Sequence, residues 1–296
     1  MKAVVLGAAA GGGFPQWNCS CPVCALAWAG DERVRAATQS SMAVSTDGAA
    51  WALLNASPEV LAQIARTPEL QPLAGARNSP IQAVVLTNGD IDHVAGLLSM
   101  REGQRFDIFA LPPVLEALRA NPIFSALSAA FFIEAVAGEE FTAAGLHFTL
   151  FPVPGKVPLY QESGHVEIGS QRGETAAVAV RDGAHTLLYV PGCASLTPEL
   201  EERLSGADAV LFDGTLFTDD EMVRAGLGPK TGRRMGHMPI SGAGGSLDML
   251  AGLKARHKVY VHINNTNPIW ISGSPEREAV EQRGIAVAHD GMEIVL

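Results

Sequence analysis

The chain lacks a basic excess. Against 21 Lys and Arg it carries 31 Asp and Glu, a formal net charge of -10. No broad cationic face is therefore expected to neutralise phosphates and release counterions, which argues against a nucleic-acid partner. Long apolar runs are missing as well. The stretch "FSALSAAFFIEAVAG" is broken by Glu134 and is shorter than the roughly 20 residues that a membrane-spanning helix needs. The start, "MKAVVLG", enters a short strand and then glycines with no secretory h-region or cleavage site, so a cytoplasmic chain without a membrane span is the expectation. Cysteine is scarce, four in 296 residues, which is no disulfide framework. Repeats, low-complexity tracts and long linkers are not visible either, and a single domain over residues 1–296 is expected.

What is present is a 47% hydrophobic content, enough for a large core. Short β-rich runs alternate with helical patterns of about ten to fifteen residues, the arrangement of an α/β protein whose mixed sheets are covered by helices. Three Asp-Gly pairs, Asp47-Gly48, Asp182-Gly183 and Asp290-Gly291, each lie between two apolar runs and predict antiparallel hairpins. Ser57-Pro58-Glu59 reads as a helix start before "VLAQIART", and similar signals predict helices near 112–119, 198–204 and 275–283. The glycine-rich "LGAAAGGGFP" follows a strand but has neither dinucleotide-fingerprint spacing nor a P-loop ending, and reads as a close-packed turn.

Two stretches carry chemistry. In "CSCPVC", Cys19, Cys21 and Cys24 lie too close together for natural disulfides and suit tetrahedral zinc, with a fourth ligand from elsewhere: His237, His289 and the Asn264-Asn265 segment are candidates. Fully ligated, that zinc would be structural. The fourth cysteine, Cys193, reads as a small buried residue at a strand end. In "VLTNGDIDHVAG" a strand leads through a polar turn into a helix, which gathers Asp90, Asp92 and His93 at the strand's carboxyl end, a usual place for ligands. Two carboxylates and an imidazole suit a divalent metal. A plainer role also fits, with Asp92 capping the helix and His93 a polar first-turn residue.

That second stretch resembles the signature of the metallo-β-lactamase superfamily, Thr-His-x-His-x-Asp-His-x-x-Gly. Thr87, Asp92, His93 and Gly96 match it, while Asn88 and Asp90 stand where the two upstream histidines would be. With "LGAAAGGGFPQWNCSCPVC", "TQSSMAVS", "NASPEV", "VLFDGTLFTDDEM", "GRRMGHMPISG" and "VYVHINNTNPI" added, the chain is similar over essentially its whole length to the B family of pyrroloquinoline quinone (PQQ) biosynthesis proteins. The resemblance implies an αββα sandwich, a structural zinc on the cysteine loop associated with homodimer formation, and a role in making PQQ. It also implies that His262 is the last metal-binding histidine, that Asp213 points toward the site as a catalytic residue beside His237, and that the superfamily's bridging aspartate is missing, its place falling near Gly192.

Asp90, Asp92, His93 and His262 form a carboxylate-rich set, for which one metal is expected rather than two. Two histidines, a carboxylate and open positions make the ligand set of non-haem iron(II) oxygenases, and the family resemblance implies iron-dependent hydroxylation of the tyrosine ring in a Glu-Tyr dipeptide. His237 resembles a histidine that hydrolase relatives carry near the scissile bond, fit for acid, base or anchor. Lys230, Arg233 and Arg234 give a basic segment suited to the carboxylates of the dipeptide or of a PQQ intermediate. Core roles for His262 and His237, a turn cap for Asp213 and a solvated loop for the basic segment remain open readings. The remaining histidines, His147, His165, His185, His257 and His289, fall in no catalytic constellation. Two other functions stay in view: a metal-dependent hydrolase, which usually needs a metal-activated water and two metals, and a carrier of PQQ or its precursor.

Overall fold

The computed structural model describes residues 1–73, 75–164 and 166–296, so His165 lies outside the described residues. Fourteen strands follow one another along them: β1 Lys2–Gly7, β2 Ser41–Ser45, β3 Trp51–Leu54, β4 Ile81–Val85, β5 Phe106–Ala110, β6 Ala130–Glu134, β7 Glu140–Ala143, β8 Leu146–Pro152, β9 Ala176–Arg181, β10 Thr186–Val190, β11 Ala209–Asp213, β12 His257–Val261, β13 Ala286–Val287 and β14 Met292–Val295. They form two seven-stranded sheets, ordered β14-β1-β2-β3-β4-β5-β6 and β13-β12-β11-β10-β9-β8-β7.

The strands read as apolar runs because both faces are covered. In β1, Ala3 and Val5 face the core shared by the two sheets, while Val4 and Leu6 face a second core. That second core is closed by Val60 of the helix Val60–Arg66, by Leu97, and by Val114, Leu115 and Leu118 of the helix Pro112–Ala120. Leu200 and Leu204 of the helix Pro198–Ser205, and Leu250 of the helix Leu247–Gly252, pack on the shared core from the other side. The result is the αββα sandwich.

One pairing pattern occurs twice, though no sequence repeat announced it. In each sheet the first four strands, β14-β1-β2-β3 and β7-β8-β9-β10, pair antiparallel and the rest, through β6 and β13, pair parallel. The helices predicted at 112–119, 198–204 and 275–283 are found at Pro112–Ala120, Pro198–Ser205 and Pro275–Glu281. Two expectations are corrected. Asp47-Gly48 and Asp182-Gly183 turn hairpins, but Asp290-Gly291 joins β13 to β14 across the two sheets. Asp290 there accepts from the backbone of Ala8 and Thr38 and from the Arg66 guanidinium. The helix after Ser57 begins at Val60 with Glu59 in the cap position, and Ser57 Oγ is buried without a partner.

Candidate metal centre

A pocket of about 250 Å³ opens where the carboxyl ends of β4, β11 and β12 meet, with Gly11, Asp90, Asp92, His93, His237 and His262 among its walls. Local hydrogen bonding explains how the turn after β4 is delivered. Buried Asn55, in the left-handed region at φ 64°, accepts from the Thr87 N–H at 2.9 Å and donates to Thr87 Oγ1 at 3.0 Å, tying the ends of β3 and β4 together. Asn88 Oδ1 then accepts from the Asp90 N–H at 2.9 Å, an Asx turn that aims the short helix Ile91–Val94. Gly96 donates its N–H to Ala56 O, and a Cβ there would lie 2.1 Å from Ser57 O, so only glycine fits.

Asp92, His93 and His262 bring one ligand atom each within 4.8 Å of one another. His93 is buried with neither ring nitrogen hydrogen-bonded, although Nδ1 makes an ion-pair contact with Asp92 Oδ1 at 3.4 Å. His262 Nε2 lies 3.2 Å from Asp92 Oδ2. On the other side of that ring, Thr215 Oγ1 sits 2.9 Å from Nδ1 and 2.6 Å from Asp213 Oδ1. Committing the single hydroxyl proton to the carboxylate makes His262 Nδ1 the donor and leaves Nε2 a bare lone pair toward Asp92. Burial, reinforced by His237 and His93, lowers the His262 pKa despite Asp92, in keeping with a neutral ring. Burial opposes a charge on Asp92, yet His93 beside it outweighs burial, and the carboxyl lies well below its usual range. His262 itself has φ 55°, costly for a non-glycine residue. It is held there by Ile263 N–H to Ala8 O and Asn264 N–H to Thr215 O.

Asp213 converges with His237 and His262 in a further group whose ligand atoms lie within 4.8 Å of one another. Fully buried, it accepts from the backbone of Cys193 and Thr215, from the Thr215 hydroxyl and from His237 Nδ1 at 2.7 Å. Burial disfavours its charge, but His237 outweighs burial and lowers its pKa. Burial likewise works against a charged His237, and Asp213 raises it. With Nδ1 engaged, His237 offers Nε2 to the pocket, stacked on His262 at 5.1 Å. A Cβ on Gly192 would lie 3.3 Å from His237 Cε1. The histidine thus takes the space that a longer side chain at 192 would need.

Cys19, Cys21 and Cys24 form a second group of converging, buried ligand atoms. Asn265 Nδ2 is 3.2 Å from Cys19 Sγ and 3.3 Å from Cys24 Sγ, and its carbonyl oxygen is 3.8 Å from Cys21 and Cys24 Sγ. Of the three candidates for a fourth ligand, the Asn264-Asn265 segment reaches the sulfurs. His237 lies in the other site, and His289 Nδ1 faces Asp290 O at 3.0 Å. Amide oxygen and nitrogen can exchange places by a flip, so the Asn265 side chain presents either to a cation. Cys193 is buried, its thiol donating to Ser195 O.

The Beta-lactamase superfamily domain matches residues 50–263. Coenzyme PQQ synthesis protein B of Methylobacterium nodulans is 52% identical over 299 residues, covering 100% of both chains. The chain belongs to the coenzyme PQQ synthesis protein B family. A solved member of this family, Zn(2+)-bound PqqB from Methylobacterium extorquens, is 52% identical, covers 100% of both chains and superposes with a TM-score of 0.98. A diphosphatase of the PhnP family, 23% identical over 99% of this chain and 97% of its own, with a TM-score of 0.69, shares the fold.

Within this member of the family, Asp90 lines the pocket but stands outside all three converging groups found among the described residues, Asp92-His93-His262, Cys19-Cys21-Cys24 and Asp213-His237-His262. Lys230 lines the pocket, and Arg234 lies beside it, paired with Glu162. Arg233 turns away: its guanidinium donates to Ala243 O and its N–H to Asp219. Other wall residues had no role at this site assigned from sequence, although Asn264 was a candidate for the zinc and Gly11 lay in the glycine-rich turn. Thr215 carried a signal, standing two residues after Asp213 at a strand end; Gly11, Lys156 and Asn264 reach the pocket only through the fold. Gly11 lies so close that a Cβ would be 3.5 Å from Asp92 Cγ, which places the glycine-rich turn against the site. No helix among the described residues is long and apolar enough to cross a membrane.

Proposed function

We propose that this protein acts in PQQ synthesis as a mononuclear iron(II)-dependent hydroxylase of the tyrosine ring in a Glu-Tyr precursor dipeptide. The observation that carries this reading is a donor set of two imidazoles and one carboxylate, His93, His262 and Asp92, at the wall of an open pocket. Both nitrogens of His93 are buried without hydrogen bonds, a cost that a metal bond to one of them would reduce. Bound at these residues, iron(II) would supply open positions for oxygen and substrate. The overall change balances as a ring C–H becoming C–OH, with the second atom of O2 leaving as water on two electrons and two protons from an added reductant.

The chain's own residues do the rest. Thr215 and Asp213 fix the ring orientations of His262 and His237. His237 Nε2 is placed to exchange a proton with a phenol in the pocket. Lys230 and Arg234 supply cations for the dipeptide's carboxylates, a role from which Arg233 is withdrawn by its contacts elsewhere. Structural zinc belongs to Cys19, Cys21, Cys24 and Asn265. That loop carries exposed Trp17 and Trp28, an apolar surface for a second copy of the chain in a homodimer.

The test is to load zinc-replete protein with iron(II) without oxygen, then add Glu-Tyr, a reductant and air. Mass spectrometry should find a product one oxygen atom heavier that the His93→Ala variant does not make. No product, together with tight metal-independent binding of PQQ, would replace this reading with a carrier.

A further inference from the structure

Beside the pocket, three cations converge on one carboxylate. Lys156 Nζ lies 3.0 Å from Glu162 Oε1, Arg234 Nη2 lies 3.0 Å from Glu162 Oε2, and Lys230 Nζ lies 3.9 Å from the same oxygen. Arg234 foremost, and then the lysines, hold the Glu162 carboxyl down to about 2, against its burial. A structural ion pair needs one cation for each carboxylate. Here the cluster carries a surplus of positive charge, and two of its members, Lys156 and Lys230, line the pocket itself. The nearest acids in that wall, Asp90 and Asp92, make no ion pair with them, and Asp92 belongs to the metal ligand set.

Glu162 sits on a loop, not in a sheet. It directly follows the turn Leu159–Gln161, and that turn is docked over the site by Tyr160, whose hydroxyl donates to Gly89 O at 2.9 Å. A change of side-chain rotamer at Glu162 therefore frees the cations without unpairing a strand. Lys156 is better fixed: its Nζ also donates to Val157 O, and a Cβ at Gly236 would stand 3.3 Å from its Cγ, so its stem is packed in place. The pocket's volume of about 250 Å³ falls just below the roughly 300–1,000 Å³ of ordinary small-ligand sites.

We infer that Lys156, Lys230 and Arg234 form a receptor for a substrate carboxylate, and that Glu162 is its resident placeholder, displaced when substrate binds. The receptor deepens the proposed function and rests on it for the choice of Glu-Tyr as ligand. Lys156 is the specificity-determining residue that sequence reading did not find. Glu162 makes binding an exchange of one carboxylate for another, so an uncharged analogue of the same shape gains nothing from the cations and leaves Glu162 where it is.

Calorimetric titration of the iron-free, zinc-replete protein tests this with three probes: Glu-Tyr, the same dipeptide with both carboxylates amidated, and PQQ, a tricarboxylate. Glu162→Gln, nearly isosteric, should tighten Glu-Tyr about tenfold by removing the internal competitor. Lys156→Met, which keeps the packed stem, should weaken it about tenfold, and neither variant should change affinity for the amide. An unchanged or weaker Glu-Tyr affinity in Glu162→Gln overturns the placeholder, as does an equal loss for acid and amide in Lys156→Met. Should the dipeptide bind no form of the protein while PQQ shows the expected pattern, the receptor stands and the dipeptide reading falls. If wild type hydroxylates Glu-Tyr with a KM that neither variant moves, the receptor falls and the hydroxylase stands. Binding of no probe at all also overturns the receptor.

Discussion

Thr215 Oγ1 has one proton and four polar neighbours: Asp213 Oδ1, the Nδ1 atoms of His237 and His262, and His262 O. Because the proton is committed to the carboxylate, the hydroxyl sets the tautomer of His262. Thr215→Val keeps the shape and removes the hydroxyl. It should cost ten- to a hundredfold in affinity for the active-site metal, read by competition with a chromophoric chelator, and about 1–3 kcal/mol of stability from the underbonded Asp213. Unchanged metal affinity would refute the tautomer argument. Glu221 offers a second test at this scale. It is buried at 8% exposure, takes hydrogen bonds from the Phe217 N–H and the Thr266 hydroxyl, and through Thr266 meets pocket-lining Asn264. Burial, only partly offset by Thr266 and the backbone donors, raises its pKa to about 7. The folded state thus binds a proton that the unfolded chain has released, between the ordinary carboxyl value and about 7. The sign follows: stability is lost as pH climbs through that window, by about 3 kcal/mol on the linkage scale. Glu221→Gln should flatten that slope, so urea unfolding should find the variant more stable than wild type at pH 8 but not at pH 4.5. An identical difference at both pH values would contradict it.

At the scale of elements, the turn from β4 into its helix is set by backbone contacts with the segment after β3. The Ala56 N–H donates to His93 O and the Gly96 N–H to Ala56 O. In Gly96→Ala the new Cβ would stand 2.1 Å from Ser57 O, a clash no rotamer can relieve. A loss of about 3 kcal/mol should lower the thermal midpoint by circular dichroism, and metal affinity should fall with it because His93 rides on the same contact; an unchanged midpoint would show that the segments can separate. The same segment explains why Ser57 misled the reading of its helix: with Ala56 bonded to His93, the chain enters the helix at Val60. Strand ends were legible. Asp213 and His262 were placed by the β-rich runs before them, which form β11 and β12. Partnerships were not. His262 meets Asp92 across 170 residues of sequence, and Lys156 meets Glu162 because a loop folds over the pocket, so neither contact leaves a local pattern. Asp290-Gly291 shows the same limit: an Asp-Gly pair signals a turn, but which sheet takes up the next strand depends on β1, at the far end of the chain. The twofold pairing pattern leaves no repeat in sequence because it requires only similar short apolar runs.

Across the whole molecule, the candidate metal centre joins the two sheets. Asp92 and His93 follow β4 of one sheet, whereas His262 follows β12 of the other, so a cation held by all three ties the halves together at the pocket. In its absence the tie is a buried carboxylate against imidazoles, with His93 unsatisfied. A metal that binds the folded chain alone should add stability by mass action, about 2.7 kcal/mol when free metal is a hundredfold above its Kd. With the cysteine site already zinc-filled, denaturant unfolding with and without added iron(II) under anaerobic conditions isolates this increment. Wild type should gain it, and His93→Ala should lose it while keeping its zinc. Without iron the same variant should lose only its packing and the 3.4 Å ion-pair contact with Asp92, since the His93 ring has no hydrogen bond to give up. Were iron(II) to stabilise wild type and His93→Ala equally, the cation would be binding elsewhere, and the joint between the sheets would be an ion pair alone.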